Sequence, residues 1–108
     1  MNFNMQGMLK QIQKMQEEMA KVQAELENKT VTEESGGGMV KVVANGKKEI
    51  ISITIDDEII KSGDKEMIED LIVAAVNKAL QSANKLAEEE IGNITKGMLP
   101  PGFNIPGF

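Results

Sequence analysis

Cysteine, histidine, tryptophan and tyrosine are absent from the 108 residues, and all twelve basic residues are lysine. Without cysteine there are no disulfides, thiolate metal sites or sulfur nucleophiles. Without histidine the commonest acid–base group is missing, and Ser35, Ser52, Ser62 and Ser82 have nothing to activate them as in a hydrolytic triad. The composition therefore predicts a protein that is not an enzyme, with no cofactor, no metal and no small-molecule substrate. The lack of arginine removes the bidentate fork that reads guanine edges, so any contact to nucleic acid is expected at phosphates, with little sequence preference. The three aromatics, Phe3, Phe103 and Phe108, sit near the ends, leaving a core of Ile, Val, Leu, Ala and Met. The longest apolar run, Leu71 to Val76, is far short of the roughly 20 residues a membrane span needs, and no signal-peptide core opens the chain. A soluble cytoplasmic protein with no membrane partner is expected.

A chain of this length forms one domain that gains much from association. Its net charge of −5 is unevenly spread. Residues 1–16 carry Lys10 and Lys14 with no acid, and residues 35–50 carry Lys41, Lys47 and Lys48 against Glu49 alone. Acid gathers between Asp56 and Asp70, where Asp56, Asp57, Glu58, Asp64, Glu66, Glu69 and Asp70 oppose only Lys61 and Lys65.

Met5, Met8, Ile12, Met15, Met19, Val22 and Leu26 recur at alternating spacings of three and four, a heptad stripe about three repeats long. The period then changes to two. "TVTEES" (30–35) reads as an edge strand, Val40, Val42 and Ala44 alternate along a second, and Ile51, Ile53 and Ile55 share one face of a third. Gly36-Gly37-Gly38 precedes a strand rather than a helix, so it is read as a turn and not as a phosphate loop. Asn45-Gly46 predicts a hairpin with positive φ, placing Lys47 and Lys48 at an exposed tip. Asp64 caps a long helix from about Lys65, whose inward positions include Ala75, Ala79 and Ala83. Gly92 and Gly97 should weaken that helix, and "LPPGFNIPGF" (99–108) is a Pro/Gly-rich C-terminal tail that cannot extend it. The acidic triplets Asp56-Asp57-Glu58 and Glu88-Glu89-Glu90 read as solvated faces rather than cation sites.

Helices of about 22 and 26 residues span roughly 33 and 39 Å, and must overhang strands of roughly 20 Å. An overhanging apolar stripe predicts a homodimer, with Met8, Ile12, Met15, Met19 and Val22 as seam residues. Lys10, Lys14 and Lys21 avoid that seam; Lys78 and Lys85 are seven apart on the last helix.

"SGGGMVKVVANGKKEI", "IDDEII", "DKEMIEDLIVAAVNKAL" and "GMLPPGF" together resemble the YbaB/EbfC family of bacterial nucleoid-associated proteins, in the same order over nearly the whole chain. The resemblance implies an α+β domain over residues 1–98. It has an α-β-β-β-α order, a three-stranded antiparallel sheet and two long flanking helices. It also implies dimerisation through sheets and helices, which adds Val40 and Val42 to the pairing residues, and a tweezer-like homodimer with protruding arms. The implied function is binding of double-stranded DNA in the nucleoid, with effects on DNA shape and gene expression. Carried onto this chain, the contacts are Lys10, Lys14 and Lys21 on the first arm helix and Lys85 and Lys96 on the last. The alternative is a protein-interaction adaptor using the acidic surface and the Pro-Gly-Phe tail.

Overall fold

The computed structural model describes residues 5–98, with side-chain surroundings as far as Ile94. Lys96 falls on a helix, but its side chain lies outside the described residues, as does the 99–108 tail. The elements are α1 (Met5–Asn28), β1 (Thr30–Ser35), β2 (Val40–Asn45), β3 (Ile50–Ile55), α2 (Asp57–Ser62) and α3 (Lys65–Met98). The strands form an antiparallel meander in the order β1-β2-β3. The expected α-β-β-β-α order holds, with one short helix added.

That added helix is punctuated at both ends. The Asp56 carboxylate accepts a hydrogen bond from the Glu58 amide, and Gly63 adopts φ 73° while donating to Ile60 O. Within two residues Asp64 Oδ1 accepts from Met67 N at 3.1 Å, starting α3 where its capping residue predicts. Asp56, read as solvated charge, thus also serves as a helix start.

The core is small and tightly drawn. Ala75, Ala79 and Ala83 lie one turn apart on α3 and are fully buried against Val40, Val42 and Ala44 of β2. Side chains this short let the helix backbone come close to the sheet. Further contacts fix its course: Ser35 Oγ donates to Leu71 O at 2.6 Å, Lys78 Nζ to Glu34 O at 3.2 Å, and Ser82 Oγ to the Glu33 carboxylate. These pairs step backward along β1 as they advance along α3. The helix therefore runs antiparallel to β1, covering β1 and β2 but leaving β3 largely uncovered.

Both ends of β2 turn as glycine permits, though by different means. Gly36, Gly37 and Gly38 all have positive φ, which makes the triple glycine a turn. At the other end positive φ falls on Lys48, not on Asn45-Gly46. Gly46 is needed for a different reason: a Cβ there would stand 2.6 Å from Leu26 Cδ2 and 3.0 Å from Leu26 O. Its amide donates to Leu26 O and Lys29 O, each at 2.9 Å, so the loop is clasped to the end of α1. Asn45 completes the clasp: its Oδ1 accepts from the amides of Lys47 and Glu49, and its Nδ2 donates to Glu27 O and Glu49 Oε1.

The two long helices exceed the sheet, α3 by more than its sequence implies. It runs 34 residues, roughly 51 Å, straight through Gly92 and Gly97. The molecule measures 75 × 24 × 16 Å with a radius of gyration of 20.1 Å, against about 13 Å for a compact domain of 100 residues. Among the described residues no helix is long and apolar enough to cross a membrane.

Candidate nucleic-acid interface

The arm is built where the chain leaves the sheet. Leu26 and Val22 of α1 are buried beside the clasped loop, and Lys29 Nζ meets Glu90 Oε1 of α3 at 2.9 Å. Hydrogen bonding to Glu90 raises the Lys29 pKa above its ordinary value. From that point α1, followed backward, and α3, followed forward, extend together past the strands.

Burial divides the heptad stripe into two parts. In its C-terminal part Val22 and Leu26 are buried, and Met15 and Met19 are half-buried. Met5, Met8, Leu9 and Ile12 remain exposed. Val40 and Val42, expected at a surface between copies, are completely covered by their own chain. Sequence periodicity shows that a helix face needs a partner but not whether the partner is another copy or a later helix of the same chain.

The apolar surface left open lies on β3. By register Ile53 faces the same side as Val42, and Ile55 the same side as Val40. Because α3 stops short of this strand, Ile51 and Ile53 stand about half exposed beside an unpaired strand edge. Periodicity places Ile51, Ile53 and Ile55 on one face, but the register shifts between Val43–Ser52 and Ala44–Ile50 and skips Ile51, so pairing places only Ile53 and Ile55 opposite Val42 and Val40.

The lysines separate along the arm. Lys10, Lys14 and Lys21 are all exposed, and at about 100° per residue they form one stripe about 40° wide. The stripe points away from the apolar seam. Its tip, residues 5–16, carries Lys10 and Lys14 without an acid, whereas residues 17–28 set Glu17, Glu18, Glu25 and Glu27 against Lys21 alone. Lys85 is exposed on α3, ahead of Glu88, Glu89 and Glu90. Lys78, seven residues before it, is tied to the sheet through Glu34 O. Lys47 and Lys48 are exposed on the loop at the arm's base. The far end of α1 is therefore an acid-free positive segment.

No group of three or more acids among the described residues is arranged to hold a metal ion. The surface offers solvated ammonium groups on a rigid helix, which suits attraction to a polyanion.

Comparison with known proteins follows the same direction. Residues 1–98 match the model of the YbaB/EbfC DNA-binding family. A nucleoid-associated protein of Caldanaerobacter subterraneus is 52% identical over 106 residues, covering 98% of this chain and 91% of the relative. One from Thermoanaerobacter pseudethanolicus is 50% identical with the same coverage. The crystal structure of an uncharacterized protein from Helicobacter pylori superposes with a TM-score of 0.61 at 30% identity, over 82% of this chain and 98% of that one.

Proposed function

Because the chain belongs to the YbaB/EbfC DNA-binding family, we propose that it binds duplex DNA as a homodimer, holding the double helix by its phosphates between two projecting arms. The observation that carries this reading is the acid-free tip of α1, where Lys10 and Lys14 stand on the face turned away from the apolar seam. Two such tips bring four ammonium groups to the backbone. Lys21, Lys85 and Lys96 add less, because acids on the same helices offset them. The protein acts in the nucleoid, in the cytoplasm. By gripping at two points it alters the path of the DNA and so affects expression of nearby genes.

Low sequence specificity follows from the lysine-only composition, since a flexible ammonium group reads charge rather than base edges. Dimerisation uses the uncovered face and edge of β3, because of the seam residues Val22 is already buried and Met15 and Met19 are already half-buried within the single chain. Met8 and Ile12 remain on the arm, away from this contact.

The test is a titration of unrelated duplexes across a salt series. Four phosphate contacts give a slope of about −3.6 in log affinity per decade of salt, at about 0.9 for each phosphate. The double substitution Lys10→Gln/Lys14→Gln flattens that slope and weakens binding to all duplexes alike. An unchanged slope in the variant, or strong discrimination among sequences, contradicts the proposal.

A further inference from the structure

One dipeptide combines a reactive sequence with a setting that restrains it. In an Asn-Gly pair the backbone nitrogen of the glycine can attack the side-chain amide carbon of the asparagine, because no Cβ shields the approach, and asparagine is thermolabile for this kind of reason. Asn45-Gly46 is the only such pair in the chain. Asn45 is 2% exposed and Gly46 is buried.

Every group the reaction needs is already engaged. The Gly46 amide donates to Leu26 O and to Lys29 O, each at 2.9 Å, which withholds its proton from base. A peptide nitrogen becomes a nucleophile only after losing that proton, since its lone pair is otherwise shared with the carbonyl. Asn45 Oδ1 accepts from the amides of Lys47 and Glu49, each at 3.0 Å, so the side chain is tied to residues 47–49. Nδ2, the nitrogen that must depart, donates to Glu27 O at 3.2 Å and to Glu49 Oε1 at 2.8 Å. Leu26, itself 2% exposed, packs so closely over Gly46 that a Cβ there would stand 2.6 Å from its Cδ2.

We infer that Asn45 is a latent deamidation site, kept closed by the clasp between α1 and the β2–β3 loop and exposed to irreversible change whenever that clasp opens. In the step, hydroxide removes the Gly46 amide proton, the nitrogen forms a bond to Asn45 Cγ, and the Cγ–Nδ2 bond breaks, with Nδ2 leaving as ammonia after taking a proton from water. Water then opens the cyclic imide at either carbonyl, giving aspartate or isoaspartate at position 45. In sum, water is consumed and ammonia released. The product cannot rebuild the clasp. A carboxylate still accepts from the amides of Lys47 and Glu49, but its second oxygen replaces the donor that faced Glu27 O and the Glu49 carboxylate, setting acceptor against acceptor. Isoaspartate also lengthens the backbone at a residue paired with Thr30 in the sheet. Because the loop holds α1 and its end at Leu26, Glu27 and Lys29, a chain that has reacted grips the base of its arm less firmly. The inference does not depend on DNA binding.

Peptide mass spectrometry tests it on the full chain held at mildly alkaline pH, with the free peptide of residues 42–48 as the reference. Reaction through a minor opened state makes the rate proportional to the open fraction, so Asn45 in the folded parent should react on the order of a hundredfold more slowly than in the peptide. Glu49→Ala removes one partner of Nδ2 from an exposed position, outside the core, and should raise the rate several-fold with the circular dichroism unchanged. Leu26→Ala, which uncovers Gly46, should raise it further. Hydrogen exchange at the Gly46 amide should quicken in the same order, and in Asn45→Asp it should be faster than in the parent. The inference is overturned if the folded parent reacts as fast as the peptide, or if the variants exchange faster at Gly46 yet deamidate at the parent rate. It is equally overturned if Asn45→Asp protects the Gly46 amide as well as the parent does.

Discussion

Replacing Ile51 and Ile53 with serine should separate the two halves of the proposed dimer while leaving each subunit folded. In the single chain Ile51 is 56% exposed and Ile53 is 44% exposed, so about half of each side chain remains to be covered by a partner. Burying a whole isoleucine is worth about 1.5–3 kcal/mol, so the uncovered half contributes about 1 kcal/mol. Two residues on each of two subunits give about 4 kcal/mol, or roughly a thousandfold in the dissociation constant. Sedimentation equilibrium over a range of concentrations reads that constant directly, and far-ultraviolet circular dichroism confirms the fold. Val73→Ser is the control, because Val73 is 59% exposed on α3 and its helical position faces away from buried Ala75 and Ala79. It removes comparable exposed apolar surface and should leave association unchanged. A parent that sediments as a monomer at micromolar concentration, or a double variant that dimerises as tightly as the parent, refutes the reasoning.

Other substitutions test the base of the arm and its ties. Gly46→Ala drives a methyl group to within 2.6 Å of Leu26 Cδ2 and 3.0 Å of a backbone oxygen that cannot move freely; a loss of about 1–3 kcal/mol in urea unfolding is expected. Asn45→Ala removes a side chain that is only 2% exposed and holds four hydrogen-bond partners, at a cost of about 2–3 kcal/mol, seen as a fall of roughly 10–20 °C in Tm. Lys29 has a raised pKa, first through its hydrogen bond to Glu90, so its contribution is complete below the ordinary value of 10.5 and disappears as pH rises through the folded-state value. Melting curves at increasing alkaline pH should therefore show a decline that is shallower in Lys29→Met.

Much of this architecture is legible in local sequence because its elements are regular. Strand alternation at Val40, Val42 and Ala44, the Asp64 cap and the triple-glycine turn each depend on neighbours within a few residues. The short helix Asp57–Ser62 is harder to see, since six residues give too few turns for a period to emerge. The Asn45-Gly46 pair marks a turn correctly but for another cause, as the glycine accommodates Leu26, some 20 residues earlier in the chain, and not a left-handed backbone.

The candidate interface divides in the same way. That Lys10 and Lys14 share an acid-free segment, opposite an apolar stripe, is a property of residue order on a helix, and the absence of arginine fixes the kind of contact they can make. Sequence alone thus determines the longer elements, their period and the charge each carries. Only the tertiary structure decides which apolar faces find partners within the chain. The alanine ridge draws α3 over β1 and β2, covering Val40 and Val42 and exposing Ile51 and Ile53. Among the described residues Val22 is buried while Met8, farther out on the same stripe, stays 49% exposed. Burial depends on where distant segments meet, and a residue's own neighbours in sequence do not contain that information.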